Sequence, residues 1–251
     1  FWCCTGSGME NFSKLGESFF YSKDDLLYVN QYVSSKLALK DNTLTVRSDI
    51  PYSDEVSLSF ENDFPGTLML RIPDWAKDFK VLSNGSEIGY ESSGANESAR
   101  PANCLSDISS KGFAIIKGGI KKDTEITLKI TAGLSVYTLP DNLNTLAFKY
   151  GPVVLSAKLG TEDFSLETTG VDVSVPVKAI FPKNYVKTES ESVSLPTASV
   201  KEFTADIDKY LVKENADGLK FHLKTDDADL TYTEHFNKYN ERYGIYMKFT
   251  V

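Results

Sequence analysis

The sequence has no long apolar run and no excess of positive charge, and each absence excludes a class of partner. No run of about 18 or more apolar residues occurs, so no segment is predicted to span a bilayer as a helix. Lys and Arg number 27 against 35 Asp and Glu, a formal net charge of -8. This balance disfavours binding to phosphate backbones and to anionic membranes. We therefore expect neither nucleic acid nor a membrane as a partner.

The sequence also lacks an initiator Met, a targeting signal and a disulfide framework. It opens with Phe-Trp-Cys-Cys, without a charged segment followed by an apolar one. We interpret this start as an internal cut in a longer protein. The three cysteines, at positions 3, 4 and 104, are too few and odd in number for a disulfide framework. What is distinctive is that two of them are adjacent.

Hydrophobic residues make up 41% of the chain and aromatic residues 12%, which is enough to build folded cores. From Leu26 onward, apolar residues alternate with polar ones, as in half-buried antiparallel strands. The clearest alternating sets are Leu44 and Val46; Val56, Leu58 and Phe60; Leu68, Leu70 and Ile72; and Ile126, Leu128 and Ile130. We predict a mainly β chain with two antiparallel, jelly-roll-like β-sandwich domains, 26–139 and 140–251, divided near Pro140.

One helix is predicted, over Ser7 to Tyr21, because apolar residues recur there at spacings of three and four. Ser7 and Glu10 have the spacing of a capping box, which would start the helix at Ser7. This interpretation places the adjacent cysteines on a loop close to the positive end of the helix. Glu10 and Glu17 lie seven residues apart in sequence, but we interpret them as a capping residue and a solvated residue rather than as a catalytic pair.

The adjacent Cys3 and Cys4 permit three interpretations. Thiolates on a tight loop before a helix suggest a metal site, because zinc binds cysteine sulfur readily. Two buried small side chains or a strained vicinal disulfide explain the pair equally well. The pair alone does not decide among these.

A longer set of motifs carries a resemblance to a known family. The segments are Phe1–Asn11, Lys14–Glu17, Leu27–Asn30, Leu70–Trp75, Tyr150–Val154 and Glu241–Tyr246. Together they resemble the end of the catalytic barrel and the following sandwich domains of the β-L-arabinofuranosidase family, glycoside hydrolase family 127 and the related family 146. The resemblance implies that residues 1–25 are the end of an (α/α) barrel, with the nucleophile loop and one leftover helix.

The resemblance also implies a retaining glycosidase whose Zn²⁺ is held by three cysteines and one glutamate. Matched to its motif, Cys3 is the nucleophile and a zinc ligand, and Cys4 is a second zinc ligand. The family's remaining ligands include a Glu-x-Cys element, which this sequence lacks, since Ala102 stands two residues before Cys104. We interpret Cys104 as an incidental thiol. We therefore expect the chain alone to leave the zinc site incomplete and to be inactive.

The implied partners are a plant-type arabinose-containing glycan and the missing N-terminal barrel of the same protein, and the implied location is extracytoplasmic. The alternative is a non-catalytic carbohydrate-binding or structural β-sandwich module. Aromatic residues spaced through the strands offer either a sugar-binding platform or core packing. These residues are Tyr28, Tyr32, Trp75, Tyr137, Tyr232, Tyr239, Tyr243 and Tyr246.

Overall fold

The computed structural model describes residues 3–93, 112–160, 192–197, 199–214, 218–225, 228–238 and 241–250. Within them the chain is mainly β, which confirms the predicted fold class. It divides into two units, Phe1–Ala132 and Gly133–Val251. None of the helices in these ranges is long and apolar enough to cross a membrane.

The first helix, α1, spans Cys3–Ser13 rather than the predicted Ser7 to Tyr21. Ser7 lies inside it, so the predicted capping box is wrong, and Glu10 instead forms an ion pair with Lys14, with Nζ and Oε1 2.8 Å apart. The apolar spacing misled the prediction because it continues past the helix into a strand that begins at Phe20. The helix leaves its apolar side chains Met9 and Phe12 exposed.

The described part of the first unit contains eleven strands, all in the segment after α1. They are β1 (Phe20–Lys23), β2 (Leu26–Val29), β3 (Ser35–Leu39), β4 (Asn42–Ser48), β5 (Glu55–Phe60), β6 (Thr67–Arg71), β7 (Asp78–Ser83), β8 (Ser86–Ile88), β9 (Glu91–Ser93), β10 (Phe113–Ile116) and β11 (Glu125–Thr131).

These strands form the two sheets of a sandwich. One sheet has the order β1-β2-β6-β10-β9 and the other the order β3-β4-β5-β11-β7-β8. Neighbouring strands run antiparallel except β2 and β6, which are parallel. The alternating apolar residues from both sheets are buried in one core, as their period of two predicts. Leu70 from the first sheet and Leu128 from the second are both fully buried there.

The hairpin between β7 and β8 shows how turn residues set the strand register. Its two loop residues, Asn84 and Gly85, both have positive φ, 46° and 80°. Such a turn has the twist that joins antiparallel strands and favours the Asn-Gly pair. The Asn84 side-chain oxygen also accepts a hydrogen bond from the Glu125 backbone N–H at 2.9 Å. The turn is thereby attached to β11 as well.

The described part of the second unit contains nine strands, two short α-helices and one 3-10 turn, His235–Asn237. They are β12 (Leu134–Leu139), β13 (Asn142–Tyr150), β14 (Val153–Lys158), β15 (Ser192–Ser194), α2 (Val200–Ala205), α3 (Ile207–Tyr210), β16 (Leu211–Lys213), β17 (Phe221–Lys224), β18 (Asp229–Glu234), β19 (Tyr243–Gly244) and β20 (Met247–Thr250). Helices α2 and α3 are too short to produce the apolar periodicity from which helices are predicted.

The strands of the second unit join in one sheet, with the main order β15-β20-β13-β14-β18-β17-β16. Its core is built around Phe148, whose ring contacts the rings of Phe203, Tyr232 and Phe249. Strand β12 pairs with β13. The sequence-based boundary after residue 139 therefore lies one strand beyond the division at Ala132 and Gly133, which separates β11 from β12.

Tyr232 is fully buried in this core, and its hydroxyl has no hydrogen-bond partner within the described residues. Burial raises the pKa of Tyr232 well above its usual value, so the hydroxyl stays neutral. An unpaired buried hydroxyl costs folding free energy. We expect Tyr232→Phe to raise the free energy of unfolding by about 1 kcal/mol in a urea titration. The exposed control Tyr137→Phe should change it little. A lower stability for Tyr232→Phe would show that the hydroxyl has a partner.

Candidate active-site segment

The two predicted cysteines lie at the start of α1. Cys3 is the first residue of the helix and Cys4 the second; Cys4 is exposed, and the side chain of Cys3 lies outside the description. The cysteine pair therefore belongs to the first helical turn and not to a loop before the helix. Cys104 lies outside the described residues. The structure places the proposed nucleophile at a helix N-terminus, where the helix dipole favours negative charge.

The donors for a metal ion can be counted in the described part of the chain. No group of three or more His, Cys, Asp or Glu residues suited to a metal ion occurs there. Cys3 and Cys4 are the donor type that zinc prefers, but a tetrahedral zinc site needs four donors. The described residues therefore fit zinc in kind and leave the donor set incomplete.

The two glutamates near the cysteines are both exposed. Glu10 pairs with Lys14, and this exposed pair within one helix stabilises the helix by only a few tenths of a kcal/mol. Neither carboxylate is held in an apolar pocket of the kind that a general acid occupies.

His222 has neighbours that its sequence spacing did not indicate. Its Nε2 contacts the Glu214 carboxylate, and its Nδ1 lies 3.4 Å from an oxygen of Asp229. The two nitrogens lie on different edges of the ring, so the two carboxylates do not converge with it on one ion. The Lys220 ammonium is the main cause that lowers the pKa of Glu214. The group is a set of polar side-chain contacts beside β16, at one edge of the sheet in the second unit.

Two segments that carry the resemblance meet in the first sandwich. Leu27–Asn30 and Leu70–Trp75 are adjacent because β2 pairs with β6, with Val29 opposite Leu70. The Arg71 side chain donates to the Asn30 side-chain oxygen at 3.2 Å, and the Tyr32 hydroxyl donates to the Arg71 carbonyl. Burial raises the pKa of Tyr32 well above its usual value, with the Arg71 charge opposing the rise. These hydrogen bonds link the segment that follows β2 to strand β6.

Asn30 also contacts the connection between α1 and β1. Its nitrogen donates to the Ser18 carbonyl at 2.9 Å, and its backbone N–H donates to the Phe19 carbonyl at 2.8 Å. These bonds fix the end of the connection between α1 and β1. The sequence signal for this role was the Asn in Leu27–Asn30, whose side chain can both donate and accept.

The comparisons with known proteins agree with this architecture. The sequence model described as "Beta-L-arabinofuranosidase, GH127 middle domain" matches residues 26–131. Residues 26–131 are thus similar to a GH127 middle domain. The predicted resemblance to this family is thus confirmed, and the matched range is the first sandwich without α1 and β1. No curated protein matches the chain significantly.

Three solved structures are similar in fold to the chain. A glycoside hydrolase matches 100% of the chain with a TM-score of 0.61 and 13% identity. A GH127 β-L-arabinofuranosidase from Geobacillus stearothermophilus T6 matches 99% with a TM-score of 0.58 and 15% identity. A further GH127 β-arabinofuranosidase matches 99% with a TM-score of 0.59 and 15% identity. The chain spans only 40%, 37% and 38% of these structures in turn.

Proposed function

We propose that the chain is the C-terminal part of a retaining glycoside hydrolase of the β-L-arabinofuranosidase type, with Cys3 as its nucleophile. The observation that carries this proposal is the similarity of residues 26–131 to a GH127 middle domain. This range is preceded in the same chain by Phe1–Asn11, the segment that resembles the end of the family's catalytic barrel. The chain spans about two fifths of the solved glycosidases that it matches. The activity is therefore proposed for the whole protein, and the chain alone is proposed to be inactive.

In the proposed reaction the Cys3 sulfur attacks the anomeric carbon while the bond to the leaving oxygen breaks. A carboxylic acid from another part of the protein protonates that oxygen. Water, deprotonated by the same carboxylate, then attacks the anomeric carbon, and the sulfur leaves as a thiolate. Two displacements at one carbon retain its configuration. A thiol is suited to both roles because its anion is a strong nucleophile and a good leaving group.

We propose that Cys3 and Cys4 supply two of the donors to a zinc ion. Zinc, when bound, keeps a coordinated sulfur ionised at neutral pH. Since the described residues contain no group of three donors, the other ligands are proposed to come from the rest of the protein. A plant-type arabinose-containing glycan as substrate and an extracytoplasmic location belong to the same proposal.

Zinc retention tests this division of ligands. We expect the complete enzyme to retain one zinc per chain after dialysis, measured by elemental analysis, because four donors close the site. The 251-residue chain, purified alone, should retain zinc substoichiometrically. In the complete enzyme, Cys4→Ser should lose zinc, whereas Cys104→Ser should keep it. Tight equimolar binding by the chain alone, abolished by Cys4→Ser, would overturn the proposed ligand division.

The second candidate function is a carbohydrate-binding module without chemistry of its own. The observation that favours it is a set of exposed aromatic side chains in the second unit, which include Phe236, Tyr243 and Tyr246. Binding of a glycan by the chain in the absence of zinc, with no hydrolysis by the complete enzyme, would favour this candidate over the first.

A further inference from the structure

Asn30 follows β2 at the point where the connection from α1 reaches the first sandwich. The exposure of the chain changes there: Met9 and Phe12 of α1 are exposed at 72% and 78%, whereas Ser18 and Phe19 are half-buried. Packing of the two exposed side chains therefore does not hold the helix against the sandwich. Hydrogen bonds of the connection carry the attachment instead.

The connection between the end of α1 and Phe19 is ordered by backbone hydrogen bonds. The Lys14 N–H donates to the Asn11 carbonyl at 3.1 Å, and the Glu17 N–H donates to the Lys14 carbonyl at 3.0 Å. The Phe19 N–H donates to the Gly16 carbonyl at 3.5 Å. Bonds of this spacing close successive turns, and these turns overlap in sequence. The helix is therefore joined to Phe19 by an ordered link rather than by a free linker.

Asn30 attaches the end of this link to the sandwich through both polar atoms of its side chain. Its Nδ2 donates to the Ser18 carbonyl at 2.9 Å, and its Oδ1 accepts from the Arg71 guanidinium at 3.2 Å. Its backbone N–H donates to the Phe19 carbonyl at 2.8 Å. Arg71 ends β6, which pairs with β2, so one side chain joins the link to two strands. An amide supplies both the donor and the acceptor that this requires, which a carboxylate does not.

We propose that Asn30 is a positioning residue, which fixes the helix that carries Cys3 to the first sandwich. The attachment follows from the hydrogen bonds, whereas its effect on catalysis rests on the proposed function of Cys3. A nucleophile on a helix is held only as well as the helix itself, and a misplacement of about 1 Å can lower a rate about 100-fold. Asn30 acts through the position of α1 and not by contact with the reacting atoms.

Hydrogen exchange of the 251-residue chain tests the attachment without reference to activity. In Asn30→Ala, the backbone amides of residues 14–19 should exchange about tenfold faster, because the link loses the side-chain bond that holds its end. The amides of β4, β5 and β11 should keep their protection, which establishes that the sandwich is folded.

Asn42→Ala is the matched control. Asn42 is the first residue of β4 in the same sandwich. Its side-chain nitrogen donates to the Asn62 carbonyl at 2.9 Å, and its side-chain oxygen accepts from the Thr43 N–H at 2.9 Å. The substitution therefore removes a comparable set of hydrogen bonds at another place. It should leave the exchange of residues 14–19 unchanged.

Steady-state kinetics of the complete enzyme tests the positioning. Asn30→Ala should lower kcat about tenfold and keep KM within about twofold, because the nucleophile is displaced while the groups that bind the sugar are unchanged. An ionised Asp keeps an acceptor for Arg71 but has no donor for the Ser18 carbonyl. Asn30→Asp should therefore lower kcat as much as Asn30→Ala does. Asn42→Ala should keep both constants within about twofold.

The outcomes separate the attachment, the positioning and the proposed enzyme. Exchange in Asn30→Ala that matches Asn42→Ala overturns the attachment. Faster exchange of residues 14–19 with an unchanged kcat overturns the positioning, and so does an equal fall of kcat in Asn30→Ala and Asn42→Ala, which a general loss of stability produces. Full activity of Cys3→Ser, with faster exchange in Asn30→Ala alone, contradicts the proposed function and supports the attachment.

Discussion

Cys3→Ser should lower kcat/KM of the complete enzyme for an aryl β-L-arabinofuranoside by at least about 1000-fold, because removal of a covalent nucleophile costs this much or more. Serine at this position is a far weaker nucleophile at neutral pH, since its hydroxyl is not ionised. Loss of activity alone does not separate a nucleophile from a metal ligand. The variant therefore has to be compared with others that remove only one of these functions.

Cys104→Ser is the matched control, because Cys104 is the one cysteine of this chain outside the adjacent pair. It should keep kcat/KM within about twofold, as expected for a thiol without a role in the transition state. Cys3→Ala with added azide sharpens the comparison. If Cys3 is the nucleophile, azide attacks in its place and gives the glycosyl azide of inverted configuration. Full activity of Cys3→Ser would contradict the proposal.

Phe148→Ala should lower the free energy of unfolding by about 3–5 kcal/mol, the range for truncating a buried aromatic residue. Phe148 is fully buried and contacts Phe203, Tyr232 and Phe249. Its removal leaves a cavity between the sheet and α2, which cannot collapse without moving several rings. Chemical denaturation followed by circular dichroism measures the loss.

Tyr137→Ala, on an exposed face of the same unit, is the control and should change the free energy of unfolding by less than about 0.5 kcal/mol. Hydrogen exchange adds a local measurement. In Phe148→Ala, the backbone amides of β13, β14 and β18 should lose protection, because these strands carry the core. Unchanged protection there would contradict the central position given to Phe148.

The sandwich of the first unit could be predicted from sequence because its apolar residues follow a period of two. Val56 and Leu58 in β5, and Ile126 and Leu128 in β11, all point into the core as the alternation predicts. The turn at Asn84 and Gly85 could also be predicted, since few residue pairs adopt positive φ twice. In these segments local preference and tertiary packing agree.

The helix could not be placed correctly because its sequence contains conflicting signals. Gly6 and Gly8 lower helix propensity, yet both lie inside α1. Phe20 extends the helical spacing of apolar residues, yet it pairs with Val29 in a sheet. The pairing of β1 with β2 is an interaction between two segments. The apolar spacing within one segment carries no information about it. The competition between helix and sheet in this segment was therefore decided by tertiary contacts.

The candidate site shows a similar limit. The adjacent cysteines were recognisable from their motif, but side-chain contacts between residues on different elements were not. His235 and Tyr243 are eight positions apart in sequence and meet only because β19 returns to pair with β14. The Tyr32 hydroxyl, in the segment after β2, likewise reaches the Arg71 carbonyl in β6. Such contacts depend on sheet order, which strand patterns alone do not fix.

Covalent trapping on Cys3 tests the central claim most directly. The complete enzyme is quenched in acid during turnover of an aryl β-L-arabinofuranoside, digested, and analysed by mass spectrometry. The proposal predicts one anhydropentose attached to the sulfur of Cys3, in the peptide that contains Cys3 and ends at Lys14, and none on Cys4 or Cys104. A pentose found instead on a carboxylate side chain, with Cys3 unmodified, would contradict it.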